Sequence, residues 1–163
     1  MSTNVINSLE FDFSAKRDMT ESYLVAQDLS NLDLSKAVLD RAELDCAILT
    51  DANLSHTSLK GTSFFSADLE GANLRHAKVR KCNFRHANLE GADVTGVDFS
   101  TSNVRGAIFT DAIGLSLQQK LWLKSNGALN IEIDRSQRNH VNSDDRHDGV
   151  FGKVRSAFSA IFS

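Results

Sequence analysis

From Leu24 to Phe109 every fifth residue is Leu, Phe or Val, eighteen positions in a row with no insertion or deletion. A helix cannot use that spacing. Its residues advance about 100° each, so a step of five turns the apolar side chain by about 140° and smears the series around the cylinder. A flat strand fails as well, because an odd step sends successive side chains to opposite faces. The chain must change direction once per repeat, with a corner every five residues that aims one large side chain at a common interior.

Two further phases support a corner. Two residues before the large one, Ala fills ten of the eighteen sites, with Thr57, Thr62, Cys82 and Val97 among the rest, so a small inward site lies beside each bulky one. Two residues after it stand Gly61, Gly71, Gly91, Gly96 and Gly106, five of the nine glycines, with Asn31, Asp51, Asp111, His56, His76 and His86. Gly, Asn, Asp and His accept the backbone angles of turns. The chain has no proline, which leaves every backbone N–H available for pairing between stacked strands.

Ala-Asp-Leu-Glu-Gly at 67–71, Ala-Asn-Leu-Arg-His at 72–76 and Ala-Asn-Leu-Glu-Gly at 87–91 resemble the A-(D/N)-L-x-x unit of pentapeptide-repeat proteins. The resemblance runs over residues 22–111. It implies an all-β architecture, a right-handed quadrilateral β-helix of four pentapeptides per coil with short flanking helical segments. It implies little about activity, because one fold hosts many functions.

The flanks read as caps, which a solenoid needs at its open ends. Residues 1–21 form an N-terminal cap in which Leu9, Phe11 and Phe13 alternate with Glu10 and Asp12. Residues 112–128 form a C-terminal capping helix, N-capped by Ser116, with Lys120 and Lys124 late in it and Gly127 as its stop. Trp122 is expected to plug the open coil. Residues 129–148 are polar and read as a flexible linker. Residues 149–163 form an amphipathic tail helix with Phe151, Val154, Phe158, Ile161 and Phe162 on one stripe.

No apolar run approaches the ~20 residues of a membrane span, and the start lacks the apolar core of a secretory signal. The expected location is the cytoplasm. Cys46 and Cys82 fall almost two coils apart under a twenty-residue coil, too far for a disulfide or a shared metal, and both read as packing residues in a reducing compartment.

Reactive groups do not converge in this sequence. It has no Gly-rich phosphate loop, nucleophile elbow, zinc-protease motif or paired-Cys motif, so the chain is expected to be no enzyme and to hold no cofactor or metal. His56 and His76 should stack one coil apart, but two ligands fall short of most metal sites. What remains is surface charge. The side holding Leu29, Leu49, Leu69, Leu89 and Phe109 carries Asp28, Asp51, Asp68, Glu70, Glu90 and Asp111 and no Lys or Arg. The opposite side carries Arg41, Lys60, Lys78, Arg80 and Lys81 against Asp40 and Asp98, while the whole chain is −3. Phe65 should point outward as a partner anchor, or lie under a flank of its own chain.

The expected function is a non-enzymatic protein–protein interaction scaffold or regulator, presenting charged β-helix faces and a C-terminal docking helix. Its partner is another protein or, as the cheapest case, a second copy. The quinolone-resistance members of the resembled family imply an alternative, a DNA mimic that binds DNA gyrase. The basic side argues against broad mimicry. Nucleic-acid binding is disfavoured by the acidic total charge and small basic patch. Stable membrane attachment is disfavoured by a short tail with two basic residues.

Overall fold

The structure is a computed structural model, and it describes residues 17–134. The chain divides into two units, Met1–Ile131 and Glu132–Ser163. The expected N-terminal strand at Leu9, Phe11 and Phe13 and the tail helix over 149–163 lie outside the described residues.

The period of five becomes a coil of twenty. Along one side the parallel bridges run Asp28↔Ile48, Ile48↔Asp68, Asp68↔Asn88 and Asn88↔Ile108, and the other sides follow the same step, as in Tyr23↔Glu43, Asp33↔Asn53 and Val38↔Ser58. A partner twenty residues away means that four pentapeptides complete each turn. From Asp18 to Ile108 the residue in each isolated bridge is the one before the large apolar residue, and a corner follows soon after. Each side is therefore too short for a long strand. Among the described residues only β1 (Ser58–Lys60) and β2 (Lys78–Arg80) extend over three residues, paired in parallel through Leu59↔Val79.

All eighteen large residues are buried, and most are fully so. Most of the phase two residues before them is buried as well, with Gln27, Leu32 and Ser102 half-buried. There Thr57 donates its hydroxyl to the Leu54 carbonyl at 2.7 Å and Thr62 to the Leu39 carbonyl at 2.7 Å, so neither buried oxygen lacks a partner. Phe rings stack within the core. Phe64 lies on Phe84 with centroids 5.0 Å apart, and Phe99 meets Phe84 and Phe109 edge-on at 5.5 and 5.4 Å. At the coil that holds Phe99 one side departs from the ladder. No bridge joins Lys78 to Asp98, and the Lys81 and Cys82 N–H groups turn to the Thr101 and Ser102 hydroxyls, both at 3.1 Å.

The turn itself occupies the first and second residues after the large one. The second has φ between 53° and 75° from Glu21 through Asp111, with Thr101 as the exception. Left-handed backbone costs an L residue about 1–2 kcal/mol, and the ladder and buried core sustain it repeatedly. Asp and Asn recur just before the large residue for a local reason. Their side-chain oxygen accepts the N–H two residues on, as in Ser30→Asp28 at 3.0 Å, Arg75→Asn73 at 3.1 Å and Thr95→Asp93 at 3.0 Å, an Asx turn that leads into the corner. Where that position is Ser58 or Ser63, the aspartate of the preceding coil substitutes. Asp40 accepts the Lys60 N–H at 3.0 Å and Asp45 accepts the Phe65 N–H at 3.1 Å.

The repeat begins earlier than residue 22. Asp18 bridges to Val38 and Met19 is buried, so residues 18–21, expected in the cap, belong to the first coil. Arg17 donates to the Ser35 carbonyl at 2.8 Å. At the other end α1 (Leu117–Ser125) starts from a capping box between Ser116 and Gln119 and ends at Asn126. Gln119 Nε2 ties the helix to the Val97 carbonyl at 2.7 Å. Leu123, not Trp122, is its buried residue; Trp122 is half-buried. The chain then rejoins the coil through Ile108↔Leu129, a step of twenty-one, with Ala128 and Ile131 buried. Residues 129–131, expected in the linker, therefore continue the solenoid.

Candidate interaction surface

Two consecutive residues form each corner, so the charges divide between the edges and the faces that adjoin them. The corner residues of successive coils stack, which gives the rod four edges. On the acidic edge stand Ser30–Asn31, Thr50–Asp51, Glu70–Gly71, Glu90–Gly91 and Thr110–Asp111, with no Lys or Arg. Asp28 and Asp68 sit on the adjoining face rather than on this edge, and both serve Asx turns to Ser30 and Glu70. The Ser30 hydroxyl and N–H hold the Asp28 carboxyl below the ordinary carboxylate range.

Diagonally across runs the basic edge, Thr20–Glu21, Asp40–Arg41, Lys60–Gly61, Arg80–Lys81 and Ser100–Thr101, with Lys78 on the adjoining face. Glu21, which a register beginning at Leu24 leaves out, lies one coil from Arg41 and pairs with it at 2.8 Å. Asp40 is turned to the Ser58 hydroxyl and the Lys60 N–H. Asp98 accepts from the Ser100 N–H and hydroxyl, and these contacts, with a smaller contribution from Arg80, hold it below the ordinary range. The free positive charge is therefore concentrated at Lys60, Lys78, Arg80 and Lys81, none of them in an ion pair among the described residues.

A third edge carries Lys36, His56 and His76, with Arg75 paired to Asp93 at 3.0 Å. The His56 and His76 rings stack at 5.3 Å with 29° between planes. Near-parallel rings cannot aim their in-plane lone pairs at one ion at bonding distance, so this stack is not a chelating pair as it stands. Among the described residues no three His, Cys, Asp or Glu side chains are grouped to hold a metal. Burial pushes the Cys82 thiol up, away from reactivity. Cys46 is exposed, and both thiols are free.

The fourth edge holds Phe65. Its side chain points outward but is half-covered by neighbours from the next coil. The Arg85 guanidinium carbon lies 5.8 Å from its ring centroid and the His86 ring meets it edge-on at 5.9 Å. The signal for this lies at twenty residues' remove, where no local pattern shows it. Tyr23 and Ile48, 38% and 43% exposed, flank the same edge and went unremarked in the sequence. The remaining proposed anchors, Phe151, Val154, Phe158, Ile161 and Phe162, lie outside the described residues.

A family model of pentapeptide repeats matches the chain in eight copies over residues 18–55, 47–85 and 67–106. Among solved structures, the chain is similar to a pentapeptide repeat protein from the Arabidopsis thaliana thylakoid lumen. That match has 30% identity and a TM-score of 0.68 and covers 78% of this chain and 92% of the other. It is also similar in fold to trypsin-treated QnrB1, a plasmid-mediated fluoroquinolone resistance protein, at 13% identity and a TM-score of 0.51, covering 82% of this chain and 72% of that one. A search of curated protein sequences finds no match. With the repeat model matched continuously from residue 18 to 106 and four pentapeptides per coil, the chain belongs to the pentapeptide-repeat family.

Proposed function

We propose that this protein is a non-enzymatic interaction scaffold or regulator. In this reading a right-handed solenoid holds charged edges in fixed register and residues 149–163 supply a docking helix. The protein acts in the cytoplasm, and its partner is another protein, with a second copy as the cheapest case. The observation that supports it is the separation of charge. Asp51, Glu70, Glu90 and Asp111 are exposed along one edge with no cation among them, and Lys60, Arg80 and Lys81 are exposed along the diagonal edge. A ladder of parallel bridges fixes the spacing of both rows, so a partner meets a preorganised array and little ordering cost falls on this side of the contact.

The test is to compare the full chain with one ending at Asp134, which keeps the returning strand at Leu129 and the buried Ile131. Removal of the tail should leave the melting transition of the repeats nearly unchanged while it lowers oligomer mass or partner capture. Unchanged mass and capture would remove the docking helix from the proposal.

A second reading is kept because the acidic edge favours it, namely a DNA mimic that binds DNA gyrase. Regularly spaced carboxylates imitate the row of phosphates on a duplex. The other three edges carry cations, which weakens it. Purified gyrase decides the point: loss of supercoiling activity on titration with this protein, relieved by Glu70→Lys with Glu90→Lys, would favour the mimic over the scaffold.

A further inference from the structure

We infer that the Phe65 edge is a docking site for an acidic amphipathic helix of a partner protein. The inference deepens the interaction reading above and rests on it. Going up this edge, one coil presents Phe65 and the next two present Arg85 and Arg105, each at the same corner position. Both arginines are exposed, and neither is in an ion pair among the described residues. The carboxylate that precedes them, Asp45, is turned inward along the ladder to the Ser63 hydroxyl and the Phe65 N–H, so it does not neutralise them. Arg85 lies over the Phe65 ring at 5.8 Å, a contact that positions the guanidinium and leaves its N–H edge available. The edge thus offers one apolar step followed by two guanidinium steps.

The spacing selects the occupant. Successive coils rise by about 4.8 Å, which places the three groups at roughly 0, 4.8 and 9.6 Å along the rod. A helix lying along the edge advances about 1.5 Å per residue, so residues i, i+3 and i+7 on one face fall at about 0, 4.5 and 10.5 Å. An extended strand advances about 3.3 Å, so its same-face residues fall at about 0, 6.6 and 13 Å and drift out of step. The matching ligand is a helix with a large apolar residue at i and Glu or Asp at i+3 and i+7. Ile48, exposed beside the edge, widens the apolar step on which the first of these rests.

The test uses the full chain and a fluorescein-labelled, alanine-based helical peptide carrying Leu, Glu and Glu at i, i+3 and i+7, followed by fluorescence anisotropy at low ionic strength. Saturable binding is expected. It should weaken by about fivefold or more in Arg85→Gln with Arg105→Gln, the scale of losing two exposed charge pairs. It should weaken similarly in Phe65→Ser and when both peptide Glu residues become Gln, and it should be unchanged by Arg75→Gln on another edge. Phe65→Leu should restore most of the binding, and melting curves confirm that each variant is folded. The inference is overturned by no binding to the wild type, by equal binding of the Gln peptide, or by wild-type binding in the double arginine variant. If native partners are still captured by the double arginine variant, this edge is not their contact, and the scaffold reading stands without it.

Discussion

Gly96 and Gly91 occupy the same kind of corner, with φ of 75° and 65°, yet they are not equivalent. A Cβ built on Gly96 would collide with Nδ1 of His76, the corner residue of the coil before it, whereas one on Gly91 would meet nothing nearer than the Gly71 nitrogen at 4.0 Å. The corner side chain of one coil leans over the corner of the next at His76 and Gly96, and again at His86 and Gly106. Since Ala26 already holds a φ of 56° in this fold, left-handed backbone alone is a shared and modest cost. Gly96→Ala should therefore lose about 1 kcal/mol more than Gly91→Ala, the scale of forcing one side chain off its rotamer. His76→Ala should close that gap in the double variant. Equal melting temperatures for the two glycine variants would show that crowding plays no part.

The inward and outward phases differ more steeply. Leu74 is fully buried and Arg75 is exposed and paired with Asp93. Leu74→Asp should unfold the coils around it, because a buried carboxylate has no partner there. Arg75→Asp removes one surface ion pair and adds a like charge, so its cost should stay near 1 kcal/mol or less. Urea denaturation of both variants measures the difference, and comparable losses would mean that the inward phase is misassigned.

At the scale of the elements, the Asx turns make stability depend on acid. Asp28 and Asp33 lie below the ordinary value of 3.8 because Ser30 and Ser35 donate a hydroxyl and an N–H to them. For Asp93 burial pushes upward, but the Thr95 hydroxyl and N–H, together with Arg75, outweigh it and leave the group lowered. A carboxyl with a folded value below its unfolded one contributes stability that is complete above the unfolded value and is lost as pH falls through the folded one. The melting temperature should drop as pH goes from about 4 toward 2. Replacing Asp28, Asp33, Asp93 and Asp98 with Asn, which keeps the turn acceptor, should flatten that limb. An identical acid limb in the variant would show that these turns are not its source.

The repeat was legible because a packed interior tolerates no drift in its period, and eighteen residues report one phase. The ends were less legible, since there the period is interrupted. Met19 continues the buried phase but is not Leu, Phe or Val. At the other end α1 separates Asp111 from Leu129, and the final bridge steps by twenty-one. The aspartates at 40 and 45 looked like surface charge, but they satisfy the backbone of the next coil, a role visible only once the twenty-residue step is known. Trp122 was the obvious plug by size, and Leu123 fills the position because the orientation of a nine-residue helix, tied down by Gln119, decides which residue faces the core.

Over the described repeats, the coil converts a sequence of small net charge into a solenoid with unlike edges. Surface ion pairs contribute little to folding, so the acidic row of Asp51, Glu70, Glu90 and Asp111 can be reversed without loss of the solenoid, and recognition separates from stability. The most direct measurement is quantitative cross-linking of partners from the native organism by three folded proteins: the wild type, Glu70→Lys with Glu90→Lys, and Arg80→Glu with Lys81→Glu. At least one reversal should selectively lose a partner that the wild type retains, while all three keep the same melting transition. Identical partner sets across the three proteins would contradict it and return both edges to ordinary solvated surface.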